Sequence, residues 1–417
     1  MGLLYNIGIN IYEAGISLAA HHNHKAKLWR DGHKDLLEHI EQSMAGVQGR
    51  IVWLHAASLG EFEQGRPIIE RIKELIPDAI VVLTFFSPSG YEIRKNYPGA
   101  DHIFYLPSDT PSNVTRFINA VHPEVAIFVK YEFWLNYLNE LRLRNIPTYL
   151  VSAIFRPTQI HFHPWGTMWR RALNTYTTIF LQDDASKELL HRVGYDRNVV
   201  AGDTRFDRVA TIASAARRIP IVENFKGDGH LFVAGSTWGK DEELLIELIN
   251  HHPDIRFVIA PHEMDEARMQ HIEKKVDGGV ARYTRSSDSS DFSNTQVLIL
   301  DTIGLLSSLY GYARWAYIGG GFGVGIHNTL EAATFGLPIA FGPNYHKFRE
   351  ACDMIELGAA CSISSYTELE AWFSPIKHES PALQKASSSA RIYTKEHCGA
   401  TDTIMSAIFP NSVNSDR

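Results

Sequence analysis

Residues 319–325 place five glycines in seven positions, Gly319, Gly320, Gly321, Gly323 and Gly325. The apolar run 316–318 stops at the first of them, and a second, 337–341, follows Gly336. Between the runs, His327-Asn328 opens a segment, 329–335, of good helix formers. Strand, glycine loop, helix, strand is a βαβ unit. Its loop lets backbone N–H groups, those of Gly320, Gly321 and Gly325 among them, approach a phosphate at a helix N-terminus. Tight turns need glycine as well, so the loop alone leaves both readings open. Glu331 adds a carboxylate one turn into the helix, where it can accept hydrogen bonds from a ribose. His327 and Asn328 stand at the helix start as phosphate or base contacts. The spacing reads as a cradle for a nucleotide-sugar.

A chain of 417 residues has room for a second domain of ordinary size beside that one. A formal net charge of −7, without any Lys/Arg cluster interleaved with aromatics, argues against a nucleic-acid partner. Cys352, Cys361 and Cys398 form no disulfide framework and suit a reducing compartment. Neither an HExxH nor a paired-cysteine pattern occurs, so no metal site is expected.

Residues 3–20 are apolar except for Asn6, Asn10, Glu13 and Ser17, which recur at helical spacing as one narrow polar stripe. Lys25, Lys27, Arg30 and Lys34 follow. No basic region precedes the segment and Glu13 interrupts it, so it is neither a signal peptide nor an ideal transmembrane span. A helix in the interface of an anionic membrane and an ordinary packed first helix both fit, the first better.

From residue 51 the pattern alternates. Strand-like runs at 51–54, 80–83, 104–106, 125–129, 149–151, 179–181 and 199–200 are separated by helical stretches. A second series lies at 231–234, 256–260, 297–300, 316–318 and 338–341. Each series predicts a parallel sheet covered on both faces, so the fold class is α/β with two doubly wound domains around a cleft. We read 1–34 as the membrane-associated helix and basic flank, 35–210 as the first Rossmann-like domain and 211–229 as a linker. The second domain is 230–380, and 381–417 is a helical segment crossing back to the first. Residues 285–296, rich in Ser, Asp and Asn, read as a mobile surface loop.

Polar residues collect just past the strands. HAASLGEFEQG follows the first run, and its small residues, Ser58 included, turn sharply into a helix that presents Glu61 at the sheet edge. A carboxylate facing a cleft can take a proton from a sugar hydroxyl, though Glu61 can also simply cap its helix. Glu63 leaves the same helix in another direction. In KYEFWLN the aromatics can fill core, whereas Lys130 and Glu132 at a strand end suit a polar cleft. Arg156 and Arg205 are candidate cations for an anionic ligand, or surface arginines. In the second series, Ser236 and Thr237, His262, and Asp301 each follow a strand.

HAASLGEFEQGRP, KYEFWLN, SAIFRP, GDTRFD, GSTWGKDEE, APHE, DTIGLLSSLYGYA and GGGFGVGIHNTLEAATFGLPIAFGP keep the order found in 3-deoxy-D-manno-octulosonic acid (Kdo) transferases. The resemblance runs from the first helix to about residue 360 and rests on eight separate motifs. It implies a GT-B glycosyltransferase on the cytoplasmic face of the inner membrane, which moves Kdo from CMP-Kdo to the lipid A precursor. Inversion without a metal or other cofactor is implied too. The family's general base matches Glu61, its HN-x-x-E donor pattern matches His327, Asn328 and Glu331, and its serine-threonine loop matches Ser236 and Thr237. The chain departs from the family at Lys130, where a carboxylate is common, and at Ala260-Pro261-His262, where Pro-Arg-His is usual. A GT-B sugar-nucleotide epimerase would need neither the first helix nor HAASLGEFEQG. A non-enzymatic, nucleotide-responsive membrane scaffold would not need Glu61 at the cleft.

Overall fold

The computed structural model describes residues 3–410. They form two compact units, one running to Arg208 and resuming at Cys398, the other spanning Val209–His397. The first holds β1 (Ile51–Ala56), β2 (Ile80–Phe85), β3 (His102–Tyr105), β4 (Val125–Val129), β5 (Thr148–Ala153), β6 (Thr178–Leu181) and β7 (Asn198–Val200). All are parallel, in the order β3-β2-β1-β4-β5-β6-β7. β1 and β4 are buried at every residue, because helices cover both sheet faces, and so they read as unbroken apolar runs. One face packs Trp53, Phe128 and Leu150; the other packs Leu54 and Ile127 on Ile68, Ile69 and Ile72 of the helix Leu59–Leu75.

The second unit holds β8 (Leu231–Thr237), β9 (Arg256–Pro261), β10 (Gly279–Arg282), β11 (Thr295–Ile299), β12 (Trp315–Ile318), β13 (Ile339–Phe341) and β14 (Ala360–Ser362). Its parallel order is β10-β11-β9-β8-β12-β13-β14. The edge strands β10 and β14 were not expected. Gly-Val-Ala-Arg and Ala-Cys-Ser lack the apolar run that marks a strand buried on both sides. The stretch 211–229 is folded rather than a plain linker: the helix Thr204–Ser214 runs into it, and Pro220–Lys226 buries Val222 and Phe225. In the loop 285–296, Phe292 is buried against Phe225, and Asn224 Nδ2 donates to the carbonyls of Asp288 (3.1 Å) and Ser290 (2.7 Å).

The chain returns to the first unit at Cys398, later than the expected residue 381, since the helix Pro381–Glu396 buries Ala390 and Tyr393 in the second. Ala400–Ile408 then sets Ile404, Met405 and Ile408 against Ile68 and Ile72. Asp207 fixes its start by accepting the N–H groups of Gly399 (2.6 Å) and Thr401 (2.7 Å).

The first helix, Leu3–Ala19, is turned inside out. Tyr5, Asn6, Glu13 and Ser17 are half-buried, whereas Leu4 (83% exposed), Ile11 (66%) and Leu18 (73%) stand out in solvent. The inward polar groups hold it this way: Tyr5 OH donates to Asp109 (2.5 Å), and Asn136 Nδ2 donates to Asn6 Oδ1 (2.9 Å). Asn10 of the expected stripe is exposed. Among the described residues no helix is long and apolar enough to cross a membrane.

Strand order reverses between β1 and β4 in one sheet and between β8 and β12 in the other. Ligands of open α/β sheets bind outside the carboxyl ends of the strands at such switch points.

Candidate active site

In the first unit, Glu61 stands in the first turn of the helix Leu59–Leu75, just past β1. Ser58 occupies the N-cap position but bonds no backbone N–H; its hydroxyl donates to Glu61 Oε2 at 2.7 Å. Glu61 is half-buried and is not spent as the helix cap. Glu63 differs, because Arg94 Nη2 donates to it at 2.8 Å.

Tyr131 follows β4. Burial raises its hydroxyl above the ordinary tyrosine range; Arg156 opposes that rise, while Glu61 and Asp183 add to it. Groups following β1, β5 and β6 therefore act on one phenol, which gathers Glu61, Arg156 and Asp183 about the same place. Lys130 sits at the end of β4 with φ of +73° and holds its ammonium 5.3 Å from the Tyr131 ring centre. A lysine in the left-handed region is strained, and such residues cluster at functional sites. Arg156 is exposed. Arg205 does not stand ready for an anion as expected, because its Nη2 pairs with Asp203 Oδ2 at 2.7 Å within the same turn.

Glu132 is 6% exposed and already held. Its Oε2 lies 3.1 Å from His55 Nε2 and accepts from Trp134 Nε1. His55 Nδ1 meets Thr84 Oγ1 at 2.9 Å, and that hydroxyl also accepts from Trp53 Nε1 (2.8 Å). Instead of an open ligand contact, Glu132 is one end of a buried polar chain under the switch point. His55 was not among the expected residues, although its signal was present: an imidazole near the end of an apolar strand.

The second unit brings three loops together past β8, β9 and β12. Asp241, buried on the helix Gly239–His251, accepts from Trp238 N–H (2.8 Å), Gly320 N–H (3.0 Å) and Tyr317 OH (2.7 Å). Burial raises its pKa, and these three bonds oppose the rise. The Gly320 N–H is therefore committed to Asp241 and is not a phosphate donor. Gly321 is required by crowding, since a Cβ there would lie 2.6 Å from Gly342; Gly325 sits beside Lys347 and Phe348. Thr237 is buried and donates to Glu242 Oε1 (2.9 Å), which also takes Arg268 Nη2 (2.5 Å), so Thr237 braces the loop. Ser236, with φ of +54°, is half-buried at an irregularity inside β8, which runs on through Thr237 rather than ending before Ser236 as expected.

His327 and His262 stack with ring centres 4.3 Å apart, and Trp238 lies 4.9 Å from His262. Trp238 Nε1–H donates to His327 Nε2 at 3.1 Å. Burial, helped by His262, lowers the His327 pKa to about 4, so the ring is neutral at pH 7. Glu331 lies in the first turn of the short helix Leu330–Thr334, nearer its start than expected. Its oxygens accept from Asn328 Nδ2 (3.0 Å) and from Ser307 Oγ. Asp301 takes no bond from this cluster; it accepts from Thr284 N–H at 2.8 Å and from the Thr284 hydroxyl. Trp238, Asp241, Arg268 and Ser307 were missed by sequence. Among the described residues, no group of three or more His, Cys, Asp or Glu could hold a metal ion.

Two parallel Rossmann-like units with loops gathered at their switch points define a protein of GT-B type. Solved structures share the fold: a UDP-GlcNAc 2-epimerase from Methanocaldococcus jannaschii (TM-score 0.53, 15% identity, covering 83% of this chain and 98% of that one), and MurG from Acinetobacter baumannii (TM-score 0.53, 13% identity, 86% and 99%). Such identities speak to fold alone. Sequence goes further, because the family described as 3-Deoxy-D-manno-octulosonic-acid transferase (kdotransferase) matches residues 32–208. The 3-deoxy-D-manno-octulosonic acid transferase of Bordetella pertussis is 28% identical over 384 residues, 86% of either chain. That of Haemophilus influenzae is 26% identical over 378 residues, again 86% of either chain. The resemblance read from the eight motifs is borne out.

Proposed function

We propose that this protein transfers Kdo from CMP-Kdo to the lipid A precursor with inversion, and that Glu61 is the general base. The observation that carries the reading is Glu61 itself, a half-buried carboxylate past β1, spent neither on a helix cap nor on an arginine. The acceptor O–H bond breaks as its proton passes to Glu61. The oxygen bonds to the anomeric carbon while CMP departs with the electron pair of its own bond. One displacement needs one base and no nucleophile. Gly321, Gly325 and their neighbours suit the departing phosphate, and neutral His327 offers a hydrogen bond without adding charge. A CMP donor brings a single phosphate, which loop N–H groups can neutralise, so we read the reaction as independent of metal and cofactor.

The first helix supports a place on the cytoplasmic face of the inner membrane, since its exposed side is apolar. Arg30 is already paired with Asp31 at 2.9 Å, which leaves Lys25, Lys27 and Lys34 to add about 1 kcal/mol each near anionic lipids. Purified protein given CMP-Kdo and the lipid A precursor should form a product heavier by whole Kdo residues, in EDTA as in buffer. Deleting residues 1–20 should move the protein to the soluble fraction. An epimerised donor, or an acceptor of unchanged mass, overturns the assignment; activity lost in EDTA and restored by magnesium overturns its metal independence.

A further inference from the structure

A cavity of about 370 Å³ lies in the first unit, between the first helix and the loops after β4 and β5. Tyr5, Phe133, Trp134, Ile160 and Trp169 form its walls, and His161 lines it too. His161 is 3% exposed, yet neither of its ring nitrogens has a hydrogen-bond partner. Its ring packs 4.3 Å from that of Phe133. Burial, with a smaller push from Arg170, lowers its pKa to about 4, so it is a neutral ring with one N–H donor and one acceptor. Buried polar groups are nearly always bonded, and an orphaned one that lines a cavity points to a ligand group.

The structure assigns this cavity to an acyl chain of the membrane acceptor, whose linking carbonyl accepts a hydrogen bond from the His161 ring. The assignment rests on the reading that the first unit receives a glycolipid. Charge decides the class of occupant. The cavity's one carboxylate, Glu132, is already bonded to His55 and Trp134, and among the described residues no lysine or arginine lines the cavity, so an anionic group would find no cation there to pair with. An uncharged chain with one carbonyl complements both the aromatic walls and the neutral imidazole. Placement agrees. Tyr5 comes from the helix whose other side is exposed and apolar, while Tyr131, also on the cavity, responds to Glu61. A chain entering from the first helix would thus bring its sugar toward the base. The volume falls in the range of small-molecule sites, roughly 300–1,000 Å³.

The test titrates full-length protein with the lipid A precursor, and with the same molecule stripped of its acyl chains, following the fluorescence of Trp134 and Trp169. The acylated form should bind and the stripped form should not at equal concentration. His161→Phe keeps the ring packing and removes the unpaired nitrogens, so its melting temperature should match or exceed the parent's. Its Kd and KM for the acylated acceptor should rise about tenfold, the loss of roughly one hydrogen bond, with CMP affinity unchanged. His161→Gln, which restores a donor and an acceptor, should recover part of the loss. Should His161→Phe fail to fold, Ile160→Trp, which fills the cavity, must show the same rise. Equal binding of the stripped acceptor, or parental affinity in the variants, overturns the assignment. If those results come with intact Kdo transfer, the acyl site alone falls. If the parent transfers no Kdo yet loses lipid binding on His161→Phe, the site stands and the proposed reaction falls.

Discussion

The two switch points are finished differently. In the second unit the loops are tied to one another: Asp241 takes three hydrogen bonds, Glu331 is held by Asn328 and Ser307, and Trp238 anchors His327. In the first unit the chain from Thr84 through His55 to Glu132 is tied as well, but among the described residues the Glu61 carboxylate is held by the Ser58 hydroxyl alone, and His161 is unpartnered. On the proposed reaction this division has a physical reason. A charged nucleotide is best met by groups that do not have to reorganise. A base and an acceptor site must instead keep valences unmade until the substrate brings them.

The most severe way to break this contrast is at Glu61. Glu61→Gln keeps the shape and the bond to Ser58 but cannot accept a proton. Turnover should fall by about 10²–10⁴-fold, the usual contribution of a general base, while CMP-Kdo binding stays within a few-fold. Glu63→Gln should cost far less, because that carboxylate is paired with Arg94. Near-parental turnover in Glu61→Gln, measured with saturating donor, would make Glu61 a positioning residue.

A smaller effect is expected on the locked side. Glu331→Ala removes a carboxylate that two protein donors aim, so CMP affinity should drop by about 1.5–3 kcal/mol, the range for a hydrogen bond to a charged group. Calorimetry would read this directly. The melting temperature should stay near the parent's, because Ser307 and Asn328 sit where water can replace the lost partner. Unchanged CMP affinity would reduce the stretch from Gly319 to Glu331 to a turn and a short helix.

What was legible in the sequence follows the same division. Buried parallel strands announce themselves as apolar runs, and the small residues around Ser58 mark the turn that presents Glu61. The bonds that finish each site were not legible. His55 meets Glu132 because β1 pairs with β4, with His55 opposite Phe128. Asp241 reaches Gly320 because β8 lies beside β12, with Gly235 opposite Ile318. Nothing local distinguishes that aspartate from any other acidic residue in a first helical turn. Arg205 misled for a related reason: its partner, Asp203, is two residues away, and spacing alone does not reveal that the pair is closed.

The smallest effect should appear in the pH dependence of stability, where each unit carries its own buried imidazole. His161 and His327 both titrate near pH 4 when folded, against an ordinary 6.5, and burial is the main cause in each. Below pH 6.5 the unfolded chain takes up protons that the folded ring refuses, so stability falls as pH drops toward 4. The term is absent above 6.5 and complete below 4. Replacing either histidine by phenylalanine removes it, so the melting temperature of the variant minus that of the parent should grow as pH falls through that window. At about 1.4 kcal/mol for each pH unit crossed and about 2–4 °C for each kcal/mol in a domain of this size, the difference should grow by about 3–5 °C per pH unit across the window. His161→Phe should act on the transition of the first unit and His327→Phe on that of the second. A pH-independent difference for His161→Phe would mean that its ring already has a proton partner in the free protein, and the contrast between an open and a locked side would lose its clearest mark.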